Sequence, residues 1–210
     1  MDNNSTKFNS SNGQSKRVFE NGILHFLSKN HIAIPLCIFF GGGFSLPSIC
    51  VFYFGLSILL SVSCFLSGLL LFTLFEYLIH RYLYHFPTVY KEGHIPYILH
   101  GIHHKYPRDK KRLVMPPLLS VLLATIILAI NYWLFGFIGI AFTGGFLVGY
   151  ASYLSIHYAV HAFKPPTNFL KTLWINHNIH HHLDDSKAFG VSSPFWDYVF
   201  GTVPTNNKKS

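Results

Sequence analysis

Charge is what this sequence has least of. Asp, Glu, Lys and Arg make up 11% of its 210 residues, against roughly a quarter in ordinary soluble domains. No Lys or Arg occurs between Lys29 and Arg81, and none between Arg112 and Lys164. The net charge of +8 invites a nucleic-acid reading, but a groove-binding surface would not leave such gaps. Cysteine is scarce too. Cys37, Cys50 and Cys64 all lie in the first apolar region, away from any histidine. That excludes a disulfide scaffold or a cysteine-rich zinc site and leaves them as small apolar residues. A cleavable secretory signal is also missing, since a polar tail precedes the apolar run and the run continues too far. Gly41-Gly42-Gly43 lacks the following Lys-Ser/Thr of a phosphate loop. Inside an apolar run it reads as a hinge or a close-packing site.

What the chain has instead is apolar length. Half of it is hydrophobic and 17% is aromatic. A spanning helix needs about 20 apolar residues, so residues 32–75 are long enough to cross a bilayer twice, with Pro47 predicting a turn near Ser45–Ser48. The second helix is expected to run on beyond the bilayer surface and carry Glu76, His80 and Arg81 into water. Leu113 to Phe163 holds no charged residue, and as one helix would extend roughly 75 Å, over twice a hydrocarbon core. It must fold back, near Gly136–Gly139. The prediction is an all-α integral membrane protein with four transmembrane helices and a histidine-rich helical cap. Residues 1–30 form a polar tail ending in a short interfacial helix, 31–204 the membrane-embedded domain, and 205–210 a C-terminal tail. Four crossings put both termini, the loop from 81 to 112 and every Lys and Arg on one side, which the positive-inside rule makes the cytoplasm.

On that same side lie four histidine groups: His80 and His85; His100, His103 and His104; His157 and His161; His177, His180 and His181. The i, i+3, i+4 spacing of the second and fourth predicts that each trio converges on one point from a single helix face. Crowded imidazoles repel once any is protonated, and a metal relieves this, because neutral imidazole is its commonest protein ligand. Ten rings exceed what one ion can hold, so two ions are implied. His25, His31, His94 and His182 stand outside these groups and read as interfacial or supporting residues. Soluble di-iron bundles use Glu-x-x-His pairs, and the sequence has none. Nearly all-imidazole ligation beside an apolar bundle suggests iron, used with dioxygen against a lipid C–H bond that acid–base side chains cannot attack.

The runs "HRYLYH", "HGIHHKYPRDKKRLVMPP", "HYAVH" and "NHNIHHHLDDSKAFGVSSPFWDYVFGT" resemble the fatty acid hydroxylase / sterol desaturase superfamily, and within it the fatty acid 2-hydroxylases. The resemblance runs from about Glu76 to the C-terminus. It implies a dimetal centre held by the ten histidines above and O2-dependent hydroxylation beside the carboxyl end of a long acyl chain, with two iron ions as cofactor and zinc in their place in some preparations. Eukaryotic members often carry a cytochrome b5 domain, and the N-terminal tail here is too short for one. Electrons would come from a separate cytochrome b5- or ferredoxin-like donor, docking on Lys105, Arg108, Lys110, Lys111 and Arg112. Relatives often have Asp after the tyrosine of "YLSIHYAVH", where this chain has Leu154 after Tyr153, which leaves substrate class and regiochemistry open.

Supporting roles fall to four further residues. Glu76 reads either as an interfacial carboxylate or as a partner fixing an imidazole tautomer. Asp197 is a candidate to orient a histidine, Arg112 to pair with a carboxylate or lipid phosphate, and Tyr153 to contact substrate. Ser193 and Pro194 predict the start of a short helix, whose Phe195, Trp196, Tyr198 and Phe200 suit the headgroup level. Competing functions are a sterol or carotenoid hydroxylase or a lipid desaturase of the same superfamily, and, from other classes, a metal transporter or a b-type haem protein.

Overall fold

The computed structural model describes residues 31–85, 97–109, 113 and 116–204. Among them every regular element is helical. Four helices are long and apolar enough to cross a membrane: α1 (Ala33–Phe52), α2 (Ile58–Ile79, continuing to Tyr84 as a wide π turn), and two more after a short α3 (Ile102–Lys105). These are α4 (Pro117–Phe135) and α5 (Phe137–Ala162), and the chain then adds α6 (Lys171–His182) and α7 (Phe195–Val199).

The first hairpin turns later than expected. α1 passes straight through Pro47 and ends at Phe52, and the turn uses Gly55 at φ +67° with the Leu56 N–H on the Cys50 carbonyl. A turn at 45–48 would leave a helix of about 13 residues, roughly 20 Å, short of a hydrocarbon core. Pro47 removes the N–H that would bond the Gly43 carbonyl, and α5 packs into the space. A Cβ on Gly144 would lie 2.6 Å from that carbonyl oxygen and 2.6 Å from Pro47 Cδ. Of the triple glycine only Gly43 is a packing site, while Gly41 and Gly42 face open space.

α5 is the central helix. Gly145 meets the Phe65 carbonyl of α2, Gly68 of α2 meets the Phe142 carbonyl of α5, and Gly149 meets the Phe72 ring. Lipid tails are as apolar as leucine, so close backbone approach at small residues is what joins such helices. The second hairpin turns at Gly136 as expected, with φ 61° and ψ −137°, a conformation open to glycine. α4 is peripheral, with Ser120 its one buried residue. Cys50 is buried, Cys37 and Cys64 are not, and all three are free.

The cap closes over the ends of α2 and α5. Ser193 Oγ accepts the Phe195 N–H at the start of α7, one residue later than the sequence suggests. Trp196 Nε1–H donates to Thr73 Oγ1 and ties α7 to α2. Phe195 and Tyr198 remain exposed, in keeping with a surface anchor. The expectation that α2 carries Glu76 and His80 into water does not hold. They are 7% and 4% exposed, because residues 187–202 fold back over them.

Candidate metal centre

Local backbone geometry decides where each imidazole points. In an α-helix, residues five apart lie about 140° apart around the axis. The π turn at His80–Tyr84 widens the helix there, and the His80 and His85 rings come to 5.0 Å of each other. A second π turn, Tyr97–Gly101, precedes α3 and carries His100.

All ten grouped histidines meet, but not as whole trios. One cluster is His80, His85, His100, His104 and His180; the other is His103, His157, His161, His177 and His181. The expected convergence of each i, i+3, i+4 trio on one point is therefore corrected. The i, i+4 pairs stay together, as His100 with His104, His157 with His161 and His177 with His181, while His103 and His180 turn to the opposite cluster. Neighbouring positions are about 100° apart on a helix, so α3 and α6, lying between two centres, each serve both. Of the ungrouped histidines, His31 and His182 are exposed, and His25 and His94 lie outside the described residues.

The nitrogen separations test whether a cation fits. His100 Nε2 lies 3.1 Å from His80 Nε2, 3.2 Å from His85 Nε2 and 2.9 Å from His104 Nε2. One ring nitrogen carries either one hydrogen or one lone pair, so these three contacts cannot all be hydrogen bonds. Two imidazole nitrogens bound at right angles to one ion, each about 2.1 Å from it, would be about 3.0 Å apart. The second cluster repeats the spacing, with His103 Nε2 at 3.1 Å from His181 Nε2 and 3.0 Å from His157 Nε2. Each cluster could hold a metal ion.

Protonation points the same way. Burial first, and neighbouring imidazoles after it, hold His85, His100, His103, His104, His177 and His181 well below the ordinary histidine range. Burial pushes His180 down to about 4, against the Lys187 carbonyl, which favours its protonated form. Neutral rings keep the lone pairs a cation needs.

The tautomer is fixed at His80 and at His180. His80 Nδ1–H donates to the Phe189 carbonyl at 2.6 Å and His180 Nδ1–H to the Lys187 carbonyl at 2.7 Å. A carbonyl only accepts, so the proton sits on Nδ1 and the Nε2 lone pair faces the cluster. Sequence reasoning missed both carbonyls, since backbone atoms leave no signature in residue types. Glu76, expected as an interfacial carboxylate or an imidazole's partner, hydrogen-bonds no imidazole among the described residues. Glu76 Oε1 accepts the Val191 and Ser192 N–H groups at 2.8 Å each, and the Ser192 hydroxyl bonds Oε2. Among the described residues Asp197 hydrogen-bonds no histidine. It accepts the Phe189 and Gly190 N–H groups and the Thr202 hydroxyl, at 2.9, 2.9 and 2.7 Å. Arg112, Lys110 and Lys111 lie outside the described residues.

Beside the first cluster, between the membrane helices, is a cavity of about 270 Å³. Phe39, Phe72, Phe75, Phe146, Leu123 and Ile127 line it, and His80, Glu76, Tyr84, Tyr150 and Tyr153 also face it. Tyr153 stacks on His157, rings 5.4 Å apart, and the Tyr150 hydroxyl pairs with Ser120 Oγ at 3.3 Å. An apolar chamber that reaches an imidazole cluster suits a lipid chain better than a hydrated ion.

Residues 65–202 match a sequence model of the fatty acid hydroxylase family. A dihydroceramide fatty acyl 2-hydroxylase of Arabidopsis thaliana is 38% identical over 145 residues, covering 66% of this chain and 59% of its own length. A ceramide very long chain fatty acid hydroxylase of Saccharomyces cerevisiae is 41% identical over 152 residues, covering 67% and 38%. Of these curated relatives the chain thus spans between 38% and 59% of the length. A solved structure of full-length Scs7p, in which only the hydroxylase domain is visible, superposes with a TM-score of 0.81 at 32% identity, over 90% of this chain and 72% of that one.

Proposed function

The chain belongs to the fatty acid hydroxylase family, and from that premise we propose that it hydroxylates a long acyl chain, at the carbon next to the carbonyl, using two iron ions and dioxygen. The supporting observation is the apolar cavity that reaches His80, a member of the first imidazole cluster. The ten clustered histidines would hold the ions, five to each. Bound there, the metal pair supplies what side chains lack, the activation of O2 toward an unactivated C–H bond.

The residues around it do the rest. Phe39, Phe72 and Phe146 take the acyl tail out of water, while the Tyr150 and Tyr153 hydroxyls give the lipid's polar end partners near the cavity's histidine end. The reaction balances with two electrons and two protons: one oxygen atom enters the C–H bond and the other leaves as water. The electrons come from a separate small redox protein. Positive residues gathered at the histidine end support a cytoplasmic side for it, and the exposed part of its basic surface, such as Arg108, would be where an acidic donor docks.

The test is mass spectrometry of total lipids from an aerobic host with and without the gene. A 2-hydroxylated acyl pool that appears with the wild type and vanishes with folded His103→Ala or His180→Ala is the expected result. Unchanged product from either variant sinks the reading. Oxygen gained by sterols or carotenoids, or hydrogen lost from acyl chains, would replace it with another chemistry of the superfamily.

A further inference from the structure

Two of the three buried carboxylates among the described residues, Asp197 and Glu76, hold the same stretch of backbone. Asp197 is 0% and Glu76 7% exposed, and they hydrogen-bond backbone N–H groups and two hydroxyls with no imidazole among them, while Arg81 acts on Asp197 only through its charge. Burying a carboxylate is costly, so a pair of them on one short stretch of chain calls for a purpose.

We propose that Asp197 and Glu76 are positioning residues for the first imidazole cluster, acting on His80 and His180 through the backbone of residues 187–192. The inference rests on the dimetal reading above. Four consecutive N–H groups, from Phe189 to Ser192, are taken by the two carboxylates. The carbonyls of Lys187 and Phe189, in the same stretch, receive the Nδ1–H groups of His180 and His80. Phe189 C=O and Gly190 N–H belong to one peptide group. Asp197 binds its hydrogen and His80 binds its oxygen, so the peptide is polarised from both ends and each bond strengthens the other. A chain of carboxylate, peptide and imidazole results, equivalent to the direct carboxylate–histidine pair that raises ligand basicity at metal sites.

The stretch has no slack. Ala188 is held at φ 56°, a left-handed conformation unusual for a residue with a side chain, with its N–H on the Thr202 carbonyl at 2.9 Å. Thr202 N–H in turn donates to the Asp197 carbonyl at 2.8 Å. A Cβ on Gly190 would lie 2.2 Å from the Ser193 oxygen. Glu76 fixes the far end of the stretch to α2, one turn before His80 on the same helix. Ring and carbonyl are thereby held in register from both sides.

The experiment uses the full chain in detergent, reloaded with Co²⁺, with metal content measured by mass spectrometry and release to a chelator followed by cobalt absorption. The wild type should bind two ions per chain, one to each cluster. Asp197→Asn and Glu76→Gln, which keep size and one acceptor oxygen, should release one ion roughly ten- to a hundred-fold faster and leave the other unchanged. Adding His161→Ala, which damages the other cluster, assigns the fast phase to the first. Gel filtration and thermal melting report folding, and if Asp197→Asn does not fold, Glu76→Gln decides. Wild-type release of both ions overturns the proposal, and so does equal acceleration of both, which means general loosening. A wild type that takes up no cobalt overturns the metal reading itself, and the inference falls with it.

Discussion

The membrane bundle and the cap over its end are held together by opposite means. In the bundle, helices meet where side chains are missing: Gly43 with Gly144, Gly68 with the Phe142 carbonyl, Gly145 with the Phe65 carbonyl. In the cap, elements meet where polar side chains are present: Asp197, Glu76, Thr202 and Ser192 each bind across long sequence separations or anchor a strand of backbone. The difference follows from the surroundings. Lipid gives helices no hydrophobic reason to associate, so packing distance governs. The cap must cover ten imidazoles, eight of them buried and two half-buried, beside backbone that would otherwise lose its water, so satisfied hydrogen bonds govern.

The sharpest test of this contrast adds one carbon in the bundle. A Cβ on Gly145 would stand 1.8 Å from the Phe65 carbonyl oxygen, a backbone atom that cannot step aside without moving α2. Gly145→Ala should cost about 3 kcal/mol, the upper part of the range for overpacking. Gly41→Ala meets nothing within 4 Å and should be neutral or stabilising by up to about 1 kcal/mol, the helix-propensity gain. Thermal unfolding of both in the same detergent decides. Equal melting temperatures would mean that close approach is not what joins α2 to α5.

That pair also shows what the sequence could and could not reveal. Four spanning helices were legible, because hydropathy reports length directly, and so were the ten histidines that meet, because their spacing recurs. Adjacency of the three glycines drew notice to 41–43, yet a glycine's role depends on what faces it. Of the glycines that pack, Gly145 and Gly149 carry the four-residue spacing of close helix contacts, whereas Gly68 and Gly144 have no pattern that sets them apart from Gly41 and Gly42. The sorting of His103 away from His100 and His104 was hidden too, since spacing fixes angles on one helix but not which centre lies in each direction. Pro47 read as a turn because a proline's cost is visible in sequence, whereas the Gly144 contact beside it is not.

In the cap, the corresponding stress is acid. His180, held near pH 4 by burial, and His85, His100, His103, His104, His177 and His181, held well below the ordinary range, are neutral when folded. An unfolded histidine takes its proton at about pH 6.5. Below that pH the unfolded cap binds more protons than the folded one, so stability falls as pH drops from about 6.5 toward 4. Asp185 and Asp197, pushed up by burial, work in the opposite sense, but they are two groups against seven. Chelator-treated protein should therefore melt progressively lower at pH 6 and pH 5 than at pH 7.5, with metal-loaded protein less affected near neutrality. A flat profile would show that the buried rings are not neutral in the metal-free state.

The smallest effect belongs to α4, which tests whether the bundle has the edge assigned to it. Leu122 is 55% exposed and Leu154, on α5, is 2% exposed. Both lie in spanning helices, and hydropathy treats them alike. Truncating Leu154 leaves a void among Phe39, Leu113 and Leu147 and should cost roughly 2–5 kcal/mol. Truncating Leu122 leaves no void where fluid lipid closes in, so Leu122→Ala should stay within about 0.5 kcal/mol of the wild type. A Leu122→Ala variant that melts as low as Leu154→Ala would mean that α4 is covered in the membrane by another protein surface, and that the bundle is larger than one chain.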